Sequence, residues 1–385
     1  MFSIFINIVH PITTTYVDSL NLPEYYFGFF FALMSLGQVI GALFWGFLSD
    51  KIGRKWLIVI GMLGYAMAQG FFGFINTWPL LILVFRIMSG LFVSAPNALF
   101  ISMCLDYSNE KTSVKNLLIM SFCSILGTSV GYEIGGSLYN YLGFSLQDVF
   151  LFQVIFGASI ALIFTLFMND KKFNKEISNG VKSKFSLKSL INLKGIVYLL
   201  LGSLFVLTVG QILVNKYLDP YFIHIGNEPA TLGHYVLITG VVGGLSNLAI
   251  IPIVKKAKNK KLALLLTSFV MLSGILTYVT FLAPTNIMYM LFSTHLIYSV
   301  LKALITPLEQ NELASYATSK SYGQIMGARQ TILSIGNVVG PLLGSAIYVK
   351  ASPTVFIWAA SIILASLGLY ILYFIIKFRK AASSN

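Results

Sequence analysis

Charge is scarce in this sequence, and acid is scarcer still. Only 10% of the 385 residues are charged, where a soluble domain carries about a quarter. The 13 Asp and Glu are outnumbered by 26 Lys and Arg. So little charge cannot cover a water-facing surface when 57% of residues are apolar and mean hydropathy is +0.82. The solvent for most of the surface must be lipid. Cysteine is nearly missing: Cys104 and Cys123 fall in or beside apolar runs, too few for a disulfide framework or a zinc site. The N-terminus lacks the basic region and small-residue cleavage site of a secretory signal. Also lacking are a phosphate-binding glycine loop, a cluster of metal ligands and a nucleophile–base pair. No enzyme, no ATP-driven pump, no cofactor and no metal site are therefore expected.

What is plentiful is apolar runs of about 20 residues, each long enough to cross a ~30 Å hydrocarbon core. Six precede a polar stretch: Phe2–Val17, Tyr25–Leu48, Trp56–Phe74, Leu80–Cys104, Leu117–Tyr141 and Val149–Met168. Six follow it: Ile196–Asn215, Tyr235–Val254, Leu262–Leu282, Ile287–Gln310, Gln324–Val349 and Thr354–Ile376. The runs are continuous rather than alternating, and hydrocarbon demands backbone hydrogen bonds closed within the segment, so each is expected to be a helix. With both termini cytoplasmic, the inner loops and tail collect 22 of the 26 cations, seven in the central linker and five after the eighth run. The outer loops hold only Lys216 and Lys350, and Arg86 and Lys302 lie within helices. This bias obeys the positive-inside rule. The net charge of +13 thus reports topology and not a nucleic-acid partner. Trp56, Trp78 and Trp358 fall near predicted helix ends, as interfacial aromatics do. The predicted organisation is an all-α membrane protein: a six-helix bundle over 1–168, a lysine-rich linker over 169–194, a second bundle over 195–376 and a cytoplasmic tail over 377–385.

The first run is short, and His10-Pro11 interrupts it. One reading breaks this helix at Pro11 and lets it line a cavity, where freed backbone groups can be satisfied. The two halves also repeat. A shift of 205 residues lays Tyr16 on Tyr221 and Gly28 on Gly233. A shift of 209 lays Gly127, Gly131, Gly135 and Leu138 on Gly336, Gly340, Gly344 and Ile347. Glycines at such spacing share one helix face and let two backbones approach closely.

Between the second and third runs stands Gly46-Phe-Leu-Ser-Asp-Lys-Ile-Gly-Arg-Lys55. Gly46 and Gly53 would allow close helix approach and a tight reversal, and Asp50 could cap a helix N-terminus. The stretch resembles the loop between helices 2 and 3 of the major facilitator superfamily, G-x-L-A/S-D-x-x-G-R-K, at all seven specified positions. The resemblance extends over nearly the whole chain and implies that fold, with two pseudo-symmetric bundles. It implies a few more residues ahead of the first helix than this chain has. It also implies a latch: Asp50 would hold the start of helix 11 at Ser321–Gln324, with Asp106 a partner for Arg54, alongside Lys55. The second-half counterpart puts Lys255 where Asp50 stands and has lost the glycines, so one latch is expected. Gly127-Thr-Ser-Val-Gly-Tyr-Glu-Ile-Gly-Gly136 resembles the helix-5 motif of the proton-driven exporters, G-x-x-x-G-P-x-x-G-G, except that Tyr132 replaces proline. Helix 11 keeps its proline, Pro341, between Gly340 and Gly344.

A charge at the bilayer centre costs at least ~2.5 kcal/mol, so each needs a reason. Arg86 followed by Gly90 resembles the R-x-x-x-G core of the family's helix-4 motif, whose arginine is implicated in proton coupling, although Ser89 and Phe92 depart from it. Arg86, Gly90, Val93 and Asn97 share a helical face. Glu133, placed mid-membrane in an apolar setting, is expected to carry the proton; the alternative is a permanent ion pair with a neighbouring helix. His295, Ser299, Lys302, Thr306 and Glu309 form a second polar stripe, expected to face the Arg86 stripe across the pathway, with Glu309 solvated at the inner end. His295 could instead bridge two helices. Gln38, Gln211 and Asn215 are expected to line the substrate cavity with Asn97, His295, Lys302 and Thr306; Asn247, Gln330 and Asn337 add polar groups in the spans, and amides often just bridge helices.

The resemblance points to the drug:proton antiporter branch, and so to export of hydrophobic, including cationic, compounds in exchange for protons. The partners expected are a small-molecule substrate, protons and membrane lipid, with the chain a monomer in the bacterial plasma membrane. The alternative is a dedicated transporter of an anionic solute or lipid, using a positive cavity. A membrane sensor without transport would leave the buried ionisable groups unexplained.

Overall fold

The computed structural model describes residues 1–75, 78–108, 113–168, 195–249, 259–282, 286–316 and 322–382. Their regular elements are α-helices: α1 (Phe2–Asn7), α2 (His10–Ser19), α3 (Tyr25–Ile52), α4 (Lys55–Phe74), α5 (Pro79–Asp106), α6 (Ser113–Asn140), α7 (Leu146–Phe167), α8 (Gly195–His224), α9 (Pro229–Ala249), α10 (Asn259–Leu282), α11 (Ile287–Phe292), α12 (Thr294–Ala314), α13 (Tyr322–Ile347) and α14 (Thr354–Ala382). Among the described residues, nine stretches are long and apolar enough to cross a membrane. They carry large apolar side chains outward: Phe44, Phe47, Leu166 and Phe167 are 51–79% exposed. Such a surface is stable in hydrocarbon and not in water. The chain is a multi-pass membrane protein.

Helix ends follow local chemistry. Gly53 closes α3 at φ +94°, a conformation that a side chain would strain. Ser145 and Asp148 form a reciprocal capping box on α7. The first run is broken, as one reading of Pro11 had it: α1 stops at Asn7 and α2 starts at His10. Pro11 then sits in a first turn, where a missing N–H costs nothing. The tenth run also breaks, at Ser293, which the sequence did not announce. There Ser293 donates to the Tyr289 carbonyl and Thr294 to that of Met290, local bonds that compete with the helix ladder.

One expectation is corrected by α8. It runs nine residues beyond Asn215, so Lys216 lies in a helix and not in an outer loop. Lys216, Asp219 and Pro220 read as an exit, yet Tyr217, Leu218, Tyr221 and Phe222 are all buried and carry the helix onward.

The described residues fall into two compact units. The first holds α1–α7 together with Leu218–Val241. The second holds α8 up to Tyr217 and the chain from Val242 onward. The bundle boundary expected at 169–194 would have given Leu218–Val241 to the second. In the first unit α5 packs on α3 and α4, and α4 on α7. The α3–α5 seam is glycine-lined: a Cβ on Gly37, Gly41 or Gly90 would lie within 2.4 Å of Ser94 or a carbonyl across it. In the second unit α10 packs on α12 and α14, with Phe281 stacked on Phe356 at 3.8 Å.

The two glycine stripes repeat in space as in sequence. Cβ atoms on Gly127 and Gly131 would meet Ser3 and Ile4 of α1 at 2.9 and 2.5 Å, and one on Gly135 would meet Ile8, the C-cap of α1, at 1.7 Å. Those on Gly336, Gly340 and Gly344 would meet Thr208, Ile212 and Tyr217 of α8 at 2.7, 2.7 and 2.1 Å. Ser3 and Thr208 are themselves 205 residues apart, the other shift of the internal repeat.

Candidate functional site

Several ionisable groups of the first unit meet where α8 ends and α9 begins. Gly226, at φ +92°, turns the chain between the two helices. Three polar pairs tie this hairpin down. On α6, Tyr132 donates to Asp219 Oδ2 at 2.7 Å and its ring stacks on His10 at 5.4 Å. Beside it, Glu133 Oε2 lies 2.8 Å from His234 Nδ1, and Glu133 Oε1 accepts from Ser137 at 3.3 Å. From α2, Asp18 holds His224 Nε2 at 2.9 and 3.2 Å with its two carboxylate oxygens. Backbone contacts seat the same hairpin. Gly136 lies against Pro229–Ala230, Gly233 against the Tyr132 carbonyl, and the Ala230 N–H donates to Asn140 Oδ1 at 2.9 Å.

Glu133 therefore has a setting other than the apolar one expected. Its side chain is 25% exposed, and it is paired with an imidazole that is 45% exposed. Tyr132, standing where the motif has proline, leaves α6 unbroken by proline and serves as a hydrogen-bond donor instead. Sequence reading passed over Asp18, Asp219, His224 and His234. Their scarcity was the available signal, since the chain has only four histidines.

Arg86 is 2% exposed. Its guanidinium lies 4.8 Å above the Phe72 ring and reaches Gln69 Oε1 at 3.5 Å. Gln69 in turn donates to Tyr65 at 2.8 Å, and Tyr65 to the Ile6 carbonyl at 3.0 Å. Among the described residues, no carboxylate bonds Arg86, and its Nε has no acceptor. A desolvated cation–π contact offsets about 2 kcal/mol of that burial. The expected common stripe divides: Arg86 points into the α4–α5 interior, Gly90 is a packing contact to Met34 and Gln38, Val93 is buried and Asn97 is exposed.

In the second unit the α12 stripe divides as well. His295 is 3% exposed, boxed by Phe281 at 5.9 Å and Tyr298 at 4.9 Å. Thr306 is exposed, and Ser299 and Lys302 are half-buried. Glu309, expected to be solvated, is 2% exposed and accepts from Nε and Nη2 of Arg329 at 2.9–3.3 Å. One turn on, Glu312 is held by Tyr373 and by Lys377 Nζ at 2.5 Å. Gln211 and Asn215 are half-buried on α8, and the buried Gln211 amide nitrogen has no acceptor among the described residues. Lys216 is close enough for its charge to act on Lys302. Asn337 and Gln330 lie on α13.

The loop after α3 is described in part. Gly53 makes the reversal expected of it. Gly46 makes no close approach: a Cβ there would meet nothing within 4 Å. Arg54 precedes α4, and Lys55 lies 5.7 Å over the Trp56 ring. Asp50 and Asp106 are in α3 and α5, but their side chains, that of Asn247, and the Ser321–Gln324 partner lie outside the described side chains. No group of three His, Cys, Asp or Glu able to hold a metal occurs among the described residues.

Comparison with known proteins gives this arrangement a family. Multidrug resistance protein MdtG of Proteus mirabilis is 26% identical over 349 residues, covering 88% of this chain and 84% of that protein. Multidrug resistance protein 1 of Bacillus subtilis is 24% identical, covering 89% and 86%. Among solved structures, a bacterial homologue of the human lysosomal transporter Spinster, inward-facing and occupied, superposes with a TM-score of 0.79 at 14% identity, covering 97% and 93%. The family model described as Major Facilitator Superfamily matches residues 1–308. The chain belongs to the major facilitator superfamily.

Proposed function

We propose that the protein is a proton-coupled exporter of hydrophobic, including cationic, drugs. It works as a monomer in the bacterial plasma membrane, by alternating access between two six-helix bundles with both termini cytoplasmic. The names of its relatives, at 24–26% identity, support drug export. The observation that carries the proton reading is the Glu133–His234 pair. A carboxylate 2.8 Å from an imidazole, both reached by solvent, brings together two side chains that bind protons, on a path open to water. Protons from outside load Glu133. A neutral carboxyl no longer attracts the His234 imidazolium, and the pair loosens; substrate release is linked to that step.

The test uses the full-length protein in vesicles, with ethidium as probe and a trapped pH dye. Ethidium movement should drive a pH change in the parent and not in Glu133→Gln. A variant that exchanges protons as well as the parent removes Glu133 from the mechanism.

A second reading, transport of an anionic solute or lipid, gains from Lys216 lying in α8 where its charge acts on Lys302. Two cations in one spanning region favour an anion. Lys302→Ala should then abolish movement of a fluorescent alkyl phosphate while leaving ethidium resistance intact. Equal phosphate transport by that variant rules the second reading out.

A further inference from the structure

Asp18–His224 is built like Glu133–His234, on the same hairpin, and the proposed function leaves it without a task. His224 closes α8 and His234 lies in the second turn of α9, with the turn at Gly226 between them. Each imidazole meets one carboxylate from α2 or α6. The settings differ in a useful way. The His224 ring is 1% exposed with the Phe27 ring edge-on at 5.6 Å, while Asp18 is 31% exposed. A buried imidazolium depends on its carboxylate, so the pair's strength is set at the solvent-reached Asp18. The hairpin also sits on α6 as one body, through Gly136, Gly233 and the Asn140–Ala230 bond. Both pairs therefore hold one and the same hairpin.

We propose that Asp18 and His224 form a second proton-binding site, coupled to Glu133–His234 through the α8–α9 hairpin, so that one transport cycle exchanges two protons. The inference rests on the proton-coupled reading. Each step is a simple protonation. A carboxylate facing an imidazolium takes one proton from the outer solution, becomes a neutral carboxyl, and loses its Coulomb attraction. One proton frees one pair and the other still holds the hairpin; two free both. The other titratable groups at the cluster have places of their own. Asp219 accepts from Tyr132, which stacks on His10. Tyr141 meets His234 Nε2 at 3.2 Å. Glu228 lies in the turn and Lys216 two turns before His224.

The experiment counts protons per ethidium in vesicles of full-length protein, under a valinomycin-clamped potassium potential. Exchange of one ethidium for two protons moves net charge and should accelerate with potential; exchange for one does not. The parent should give two protons per ethidium and potential-dependent flux. Asp18→Asn combined with His224→Gln should give one, with the dependence lost. A parent ratio of one overturns the inference however the variant behaves. An unchanged ratio of two in the variant also overturns it. A parent that moves ethidium with no protons at all instead overturns the proton-coupled reading, and this inference with it.

Discussion

Substituting Gly135 by alanine puts a methyl group where the C-cap residue of α1, Ile8, has its backbone carbonyl. Its Cβ would sit 1.7 Å from Ile8 O and 2.8 Å from Ile8 C. Backbone cannot swing aside as a side-chain tip can, so α1 must retreat by roughly 1.5 Å to regain van der Waals separation. Overpacking of this kind costs about 1–3 kcal/mol. The retreat also stretches the bonds that tie α1 to α6, Ser3 to Ser124 at 3.0 Å and Asn7 to Thr128 at 3.2 Å, each contributing about 1 kcal/mol. At about 2.1 cal/mol/K per residue over 385 residues, a total near ~3 kcal/mol corresponds to a fall in melting temperature of about 4 °C. The assay is thermal unfolding of purified protein in detergent, with Gly46→Ala as control. Both glycines belong to family motifs, but the space at Gly46 is open. Gly135→Ala melting no lower than Gly46→Ala would refute the claim that the helix-5 stripe exists for close approach to α1.

Other perturbations separate packing from chemistry. Glu309→Gln leaves the Arg329 guanidinium without its buried partner, and should cost about 3–5 kcal/mol, read as lost yield and a lower melting temperature. Arg86→Met should do the reverse for stability, since an apolar side chain of similar volume removes a buried charge, while ethidium-driven proton movement is lost. A melting temperature several degrees below the parent's would overturn that account of Arg86. Gly53→Ala forces an L side chain to φ +94° and should cost about 1–3 kcal/mol, seen as reduced stability with membrane insertion retained.

Much of the fold was legible because lipid leaves the chain few choices. Continuous apolar runs of spanning length must be helices, and the glycine stripes at 127–135 and 336–344 could be paired by counting alone. Legibility failed where partners are far apart in sequence. His224 and Asp18 are 206 residues apart, and His234 and Glu133 are 101 apart, with no local pattern linking them. It failed again where polarity misled. Lys216, Asp219 and Pro220 look like a helix exit, but the helix continues on its aromatic face through Tyr221 and Phe222. Glu309 looked like an inner-end acid and proved to be fully buried, because Arg329 on the next helix supplies the countercharge. Spacing also put Arg86 and Asn97 on one stripe, yet Arg86 is buried against α4 and Asn97 is exposed, because periodicity says nothing of what each turn of the helix meets.

The segment Leu218–Val241 belongs to the second half of the chain by order and to the first by contact. A cut anywhere between α7 and α8 would therefore not produce two strangers. The downstream fragment would carry a hairpin already shaped to dock on α2 and α6, with two histidines, Asp219 and the Ala230 N–H as its fittings. Separately translated halves should find each other in the bilayer.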